Sequence, residues 1–188
     1  AASLGSLKGP KHGGANIKVC EMFDNIKENV PTFDRGKLKD YVARILDKDA
    51  YDHTGLVYGM GHAVYSLSDP RADILKTFAE KLAAEKHMEE EYEMRKYVAQ
   101  AAAELIAEKR RIYKGVSPNV DFYSGFVYDM LGLPRELYTP FFAVSRIVGW
   151  SAHRIEEITN GGKIIRPGYQ AVAPRRKYVP IEQRTEEE

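Results

Sequence analysis

Three short stretches of this chain set a titratable side chain beside a backbone free to turn: Gly9-Pro-Lys-His12-Gly-Gly14, Gly59-Met-Gly-His62 and Pro118-Asn-Val-Asp121. Glycine lets the main chain approach a ligand closely. A helix entrance adds unpaired amides and a positive potential that favours anions. Each stretch could therefore bring an imidazole or a carboxylate to a bound anion. A lone histidine beside glycine is equally at home as a surface or hydrogen-bonded structural residue.

Other chemistries fit less well. His12 and His62 lie far apart, and neither sits in a His-x-x-x-His or Cys-x-x-Cys pattern, so a zinc site has no ligand spacing to rest on. No Gly-x-Ser-x-Gly elbow marks a serine hydrolase, and no Gly-x-x-x-x-Gly-Lys-Ser/Thr marks a phosphate loop. Cys20 stands alone, which excludes an internal disulfide and fits a reducing compartment, with cytoplasm as the expected location.

The elements that must carry these residues read as helices. Ile17, Val19, Cys20, Met22, Phe23 and Ile26 repeat at mostly helical spacing from about Ala15 to Glu28, ahead of Pro31. Leu38, Tyr41, Val42, Ile45 and Leu46 do the same up to Asp47. Asp69-Pro70 is an N-cap followed by proline at the first helical position. The helix it opens, to about His87, is expected to present Ile74, Leu75, Phe78, Ala79 and Leu82 on one face. Met94, Val98, Ala101, Leu105 and Ile112 stripe a longer helix from Glu89 to about Tyr113. Asn119 or a neighbour caps a helix ending near Gly132, and Thr139-Pro140 repeats the cap-plus-proline signal for a helix to about Ile158. A short ribbon around Lys163 to Arg166 is the most strand that the pattern allows. The expected class is all-α.

Composition adds bounds. The 188 residues are 44% apolar, as in a globular protein, and 28 basic side chains nearly balance 27 acidic ones. No global field draws nucleic acid or an anionic membrane, so any anion site must be local. No apolar run approaches the roughly 18 residues a bilayer span needs. The opening Ala1-Ala2-Ser3, without Met, suggests a processed or cut product.

Taken together the three stretches resemble the signature of the citrate synthase family: G-P-x-H-G-G-A-N, then G-x-G-H-x-V-Y with D-P-R, then P-N-V-D-x-x-S-G. Here these read Gly9 to Asn16, Gly59 to Tyr65 with Asp69-Pro-Arg71, and Pro118 to Gly125. The likeness continues through Ser145-Arg146 and Arg166-Pro167 to Tyr178-Val-Pro-Ile-Glu-Gln-Arg184, so it covers essentially the whole chain.

The resemblance implies condensation of acetyl-CoA with oxaloacetate to give citrate and CoA. Asp121 would be the base that takes a methyl proton, His12 would donate a hydrogen bond to the enolate oxygen, and His62 would polarise and protonate the oxaloacetate carbonyl. Arg71, Arg146 and Arg166 match the arginines that hold the two carboxylates, a task suited to planar guanidinium groups. Val57, Tyr58, Gly59 and Gly61 resemble the segment that holds the adenine of CoA, and Asn119 lies in the motif bordering that pocket. No metal and no prosthetic group is implied, with acetyl-CoA as co-substrate. The chain departs from the pattern at Ser66-Leu67-Ser68, where many relatives carry a basic residue for a CoA phosphate, and at Lys11, which replaces an apolar residue before the first histidine. His53, His87 and His153 match no catalytic position.

The family's fold is a multi-helical citrate-synthase-like one. By that likeness residues 1–14 end an N-terminal large-domain segment, 15–130 form the small mobile domain, and 131–188 return to the large domain. The main N-terminal part would be absent. A homodimer follows, with Arg166 reaching the partner's site. Propionyl-CoA as substrate, which would make a 2-methylcitrate synthase, is the alternative. A second is an inactive CoA-binding or structural fragment, whose face around Phe141, Phe142 and Ile147 would seek the missing helices.

Overall fold

The computed structural model describes residues 2–7, 14–65, 67–110, 115–162, 164, 168, 170 and 178–183. Two units are distinguished, Ala1–Ile147 and Val148–Glu188. The regular elements are helical: α1 (Ala2–Leu7), α2 (Ala15–Asn29), α3 (Arg35–Leu46), α4 (Pro70–Lys86), α5 (Glu89–Arg110), α6 (Val120–Met130) and α7 (Tyr138–Thr159), with 3-10 turns at Arg135–Leu137 and Ile181–Gln183. Among the described residues the only β pairing outside them is an isolated bridge between Met60 and Pro118.

The first unit is built around α6, whose residues Phe122 to Val127 are all buried. The apolar stripe of α2 (Val19, Cys20, Met22, Phe23, Ile26) and the small-residue stripe of α4 (Ala72, Ala79, Ala83) are buried with it. Both helices pack on α6, and α3 packs on α5 through Leu38, Tyr41, Val42 and Ile45. One apolar core joins these faces to Val98, Ala102 and Leu105 of α5. Helix entrances follow local chemistry. Asp34, Asp69 and Asn119 each accept a hydrogen bond from an amide in the first turn of the helix they cap, and Pro70 opens α4 where its missing N–H costs nothing.

Two expectations need correction. Of the face expected on α4, Ala79 is buried and Leu75 and Leu82 pack partly buried against the core, but Ile74 and Phe78 are 61% and 58% exposed and the fully buried stripe is Ala72, Ala79 and Ala83. α4 lies close on α6, and small side chains are what such an approach admits. The last long helix begins at Tyr138, fed by the preceding 3-10 turn, so Thr139-Pro140 lies within its first turn rather than ahead of it. Proline is tolerated there because first-turn amides lack intrahelical acceptors. α1 carried no sequence signal that marked it as helix. The ribbon around Lys163 to Arg166, the basic stretch at Arg175 and Ile112 fall outside the described residues, apart from exposed Ile164. On α7, Phe141 and Phe142 are half-buried and Val144 and Ile147 are exposed.

Candidate active site

Three glycines with positive φ shape the loop between α3 and α4: Gly55 (φ 76°), Gly59 (φ 79°) and Gly61 (φ 84°). At Gly59 the requirement is double, because a Cβ would also stand 2.9 Å from both the Cα of Phe122 and the Cγ2 of Val19. That close approach lets the loop lie against the start of α6. The Asn119 amide donates to the Gly59 carbonyl at 2.8 Å, and the Gly61 amide donates to Ser117 O at 2.8 Å. Asn119 closes the clamp. Its Nδ2 donates to Gly61 O at 2.8 Å while its Oδ1 accepts from the Asp121 amide at 2.9 Å. His62 and Asp121, 59 positions apart in the chain, are thereby carried on the two sides of one hydrogen-bonded clamp.

The loop also sets the imidazole. His62 Nδ1 accepts from the amides of Val64 (3.0 Å) and Tyr65 (3.3 Å), so its lone pair is taken and the neutral ring carries its proton on Nε2. Nε2 lies 3.4 Å from Nη2 of Arg71. Two N–H donors that face each other across such a gap are arranged to meet on an oxygen acceptor. The ring stacks at 4.9 Å on Tyr65, over which the Arg71 guanidinium also lies, at 5.5 Å.

Behind this pair sits Asp69, 1% exposed. Its carboxylate takes both the Nε (3.0 Å) and the Nη2 (2.8 Å) of Arg71, the Arg71 amide (3.0 Å), and the Val120 amide at the head of α6 (3.2 Å). Arg71's hydrogen bonds hold the Asp69 carboxyl below the usual range against the opposing effect of burial. Asp121, partly buried, goes the other way: burial pushes its carboxyl above the ordinary 3.8, with the Asp69 charge adding to the rise and Arg71, Arg146 and His62 opposing it. A carboxylate made more basic, beside a fixed imidazole donor and a held guanidinium, can take a proton from a bound ligand while charge on an oxygen is stabilised.

Of the residues singled out in the sequence, the structure gathers His62, Arg71, Asp121, Asn119, Gly59 and Gly61 around one clamp. Arg146, on α7, bears on the Asp121 carboxyl electrostatically and lies 5.9 Å over the Phe142 ring. Val57 is buried, and half-buried Tyr58 donates its hydroxyl to Asp52 at 2.6 Å. His12, Arg166, Lys11 and Ser66 lie outside the described residues. Sequence reasoning passed over Asp69 as anything but a helix cap; its place two residues before Arg71, in the same Asp-Pro-Arg motif, was the available signal. Among the described residues no group of three or more His, Cys, Asp or Glu could hold a metal ion, and no helix is long and apolar enough to cross a membrane. His53 Nδ1 donates to Lys48 O (2.9 Å), His87 ends α4 in the left-handed conformation, and exposed His153 lies 3.8 Å from Glu156.

Comparison with known proteins places these features in context. The family model described as "Citrate synthase, C-terminal domain" matches residues 1–168. A citrate synthase of Synechocystis sp. is 38% identical over 187 residues, which is 98% of this chain and 42% of that protein. A 2-methylcitrate synthase of Shewanella oneidensis is 36% identical over 186 residues, 97% of this chain and 44% of its own. The citrate synthase of Thermoplasma acidophilum, solved in a ternary complex with carboxymethyl coenzyme A and oxaloacetate, superposes with a TM-score of 0.65 at 34% identity, covering 96% of this chain and 44% of that one. The chain thus spans less than half the length of the relatives it matches.

Proposed function

The chain belongs to the citrate synthase family, and from that premise we propose that the full-length protein condenses acetyl-CoA with oxaloacetate, releasing citrate and CoA. The observation that carries this reading is the convergence of His62 Nε2 and Arg71 Nη2, 3.4 Å apart, beside Asp121. In the proposed reaction the Asp121 carboxylate removes a methyl proton from the thioester, and His12 donates to the enolate oxygen that forms. The enolate carbon attacks the keto carbon of oxaloacetate, His62 Nε2–H protonates the resulting alkoxide, and water then cleaves the thioester. Arg71, Arg146 and Arg166 hold the carboxylates.

The assignment of residues 15–130 to a mobile small domain, with 1–14 and 131–188 in a large one, belongs to the same proposal. So do a homodimer in which Arg166 serves the partner's site, a cytoplasmic location, and CoA adenine against Val57 to Gly61. The likeness to the Shewanella oneidensis enzyme favours a second reading in which the acyl donor is propionyl-CoA. One methylene in an apolar pocket separates the two by only about 1–3 kcal/mol.

The test is thiol release by the full-length protein. CoA freed from acetyl-CoA only when oxaloacetate is present supports the first reading, and a larger kcat/KM with propionyl-CoA supports the second. No oxaloacetate-dependent release from either thioester overturns both.

A further inference from the structure

Besides Asn119, Asp69 has a side chain that touches both halves of the site. Its Oδ2 accepts from Arg71 Nη2 at 2.8 Å and from the Val120 amide at 3.2 Å, while Oδ1 takes Arg71 Nε and the Arg71 amide, each at 3.0 Å. Capping α4 needs only the Arg71 amide bond. The remaining three contacts do something else: they fix the plane of a guanidinium that faces His62, and they tie it to the first residue of the helix that bears Asp121. A carboxylate 1% exposed is costly to bury unless such partners repay the lost hydration.

We propose that Asp69 is a positioning residue for the reaction assigned above: through one buried carboxylate it sets the register between the oxaloacetate-holding guanidinium of Arg71 and the base Asp121. The proposal rests on that reading for the names of the ligands, but its geometry does not. Val120 is the first residue of α6, and its amide has no intrahelical acceptor, so the bond to Asp69 is the tether available to it at that corner. The groups that bear on Asp121 are Asp69 and Arg71 at the start of α4, His62 in the preceding loop and Arg146 on α7. Removing the Asp69 charge takes away the one like charge among them.

Two variants separate the contacts. Asp69→Asn keeps a good N-cap but loses the charge and one acceptor oxygen. Val120→Pro deletes only the tether, because proline suits the first helical position and Asn119 already has the extended conformation a following proline requires (φ −98°, ψ 179°). Val120→Ala, which keeps the amide, is its control. In the full-length protein Asp69→Asn is expected to raise KM for oxaloacetate on the order of 10–100-fold. It also shifts the acid limb of kcat to lower pH. Val120→Pro leaves that KM within about twofold of Val120→Ala and lowers kcat on the order of tenfold.

Asp69→Asn with unchanged KM and an unmoved acid limb overturns the proposal, whatever happens to its thermal stability, since that is the outcome of a helix cap alone. Val120→Pro indistinguishable from Val120→Ala overturns the tether. If Asp69→Asn does not fold, the valine pair carries the test by itself. If the wild-type protein turns over neither thioester, the proposed function falls, and carboxyl-carbon NMR titration of Asp121 decides the positioning question: a lower midpoint in Asp69→Asn upholds it, an unchanged one overturns it.

Discussion

Gly125 of α6 faces Cys20 of α2 so closely that a Cβ at position 125 would overlap the sulfur. One residue earlier, Ser124 accepts a hydrogen bond from Asn16 Nδ2, also on α2. These contacts set how deeply α6 beds against α2. Asp121 lies one turn before Gly125 on the same helix, so the seat of Gly125 bears directly on where the proposed base stands.

Gly125→Ala should therefore be costly for a surface-neutral change of one methyl group. Overpacking against buried Cys20 is worth about 1–3 kcal/mol. Cys20→Ala opens space at the same point, so the double variant should be more stable than Gly125→Ala alone, with a coupling on the order of 1 kcal/mol. Denaturant titration of the four proteins measures this. Additive behaviour would mean that the two residues do not compete for the space.

Gly59 and Gly61 share a left-handed backbone but not their surroundings. A Cβ at Gly59 meets Phe122 Cα and Val19 Cγ2 at 2.9 Å, whereas at Gly61 the nearest atom, Val116 Cγ1, is 3.7 Å away. Gly61→Ala should cost only the backbone strain, about 1–2 kcal/mol. Gly59→Ala adds overpacking of about 1–3 kcal/mol and should also lower activity, because it displaces the loop from α6. Equal losses of stability would refute the distinction.

How legible was this in the residues alone? Helices α2, α3 and α6 were: the apolar residues of α2 and α3 recur at helical spacing, and Asn119 stands as a cap one residue before the first turn of α6. The buried face of α4 was legible only in Leu75, Ala79 and Leu82. Periodicity favours the large side chains Ile74 and Phe78, and nothing local reveals that α6 will come close enough for alanines to be the packed ones. In the site, the types and order of His62, Arg71 and Asp121 were plain. The threefold use of Asp69 was not, since a cap is a complete local explanation of an aspartate before a proline. Asn119 was read as a candidate cap and as lying beside a cofactor pocket; its cap bond to the Asp121 amide is local, whereas the bond from its Nδ2 to Gly61 O depends on a loop about 58 residues distant in sequence.

Arg95 offers a test of buried charge. It is 1% exposed, with its guanidinium carbon 4.0 Å over Phe23 and 4.4 Å over Phe126, and its Nη2 donates to Glu91 at 2.8 Å. Nε and Nη1 find no hydrogen-bond partner among the described residues. Burial raises the Glu91 carboxyl, but Arg95 and Lys27 outweigh it and hold the group below its ordinary 4.5. A depressed folded-state value gives stability that is present above the unfolded value and lost as pH falls through the folded one. Arg95→Met keeps contact with both rings but leaves Glu91 only Lys27, 3.3 Å away. The expected loss is about 2–3 kcal/mol at pH 7, shrinking in acid as pH falls through the lowered Glu91 value and the carboxyl takes up a proton. Thermal unfolding across that range checks it; a loss independent of pH would remove Glu91 from the account.

Asp121→Asn is the sharpest test of the proposed chemistry, because asparagine keeps the shape and abolishes the base. Oxaloacetate should still bind within a few-fold, since Arg71 keeps both bonds to Asp69. Condensation should fall on the order of 10²–10⁴-fold, the usual worth of a positioned base. The wild-type acid limb gives a second reading. A base works deprotonated, so turnover is lost as pH falls through its folded-state value, and burial places that value above 3.8. The midpoint of kcat on the acid side should therefore lie above the ordinary aspartate range, and the residual activity of Asp121→Asn should lack that limb. Near-normal turnover in the variant, or an identical acid limb in both proteins, would assign proton removal to another group.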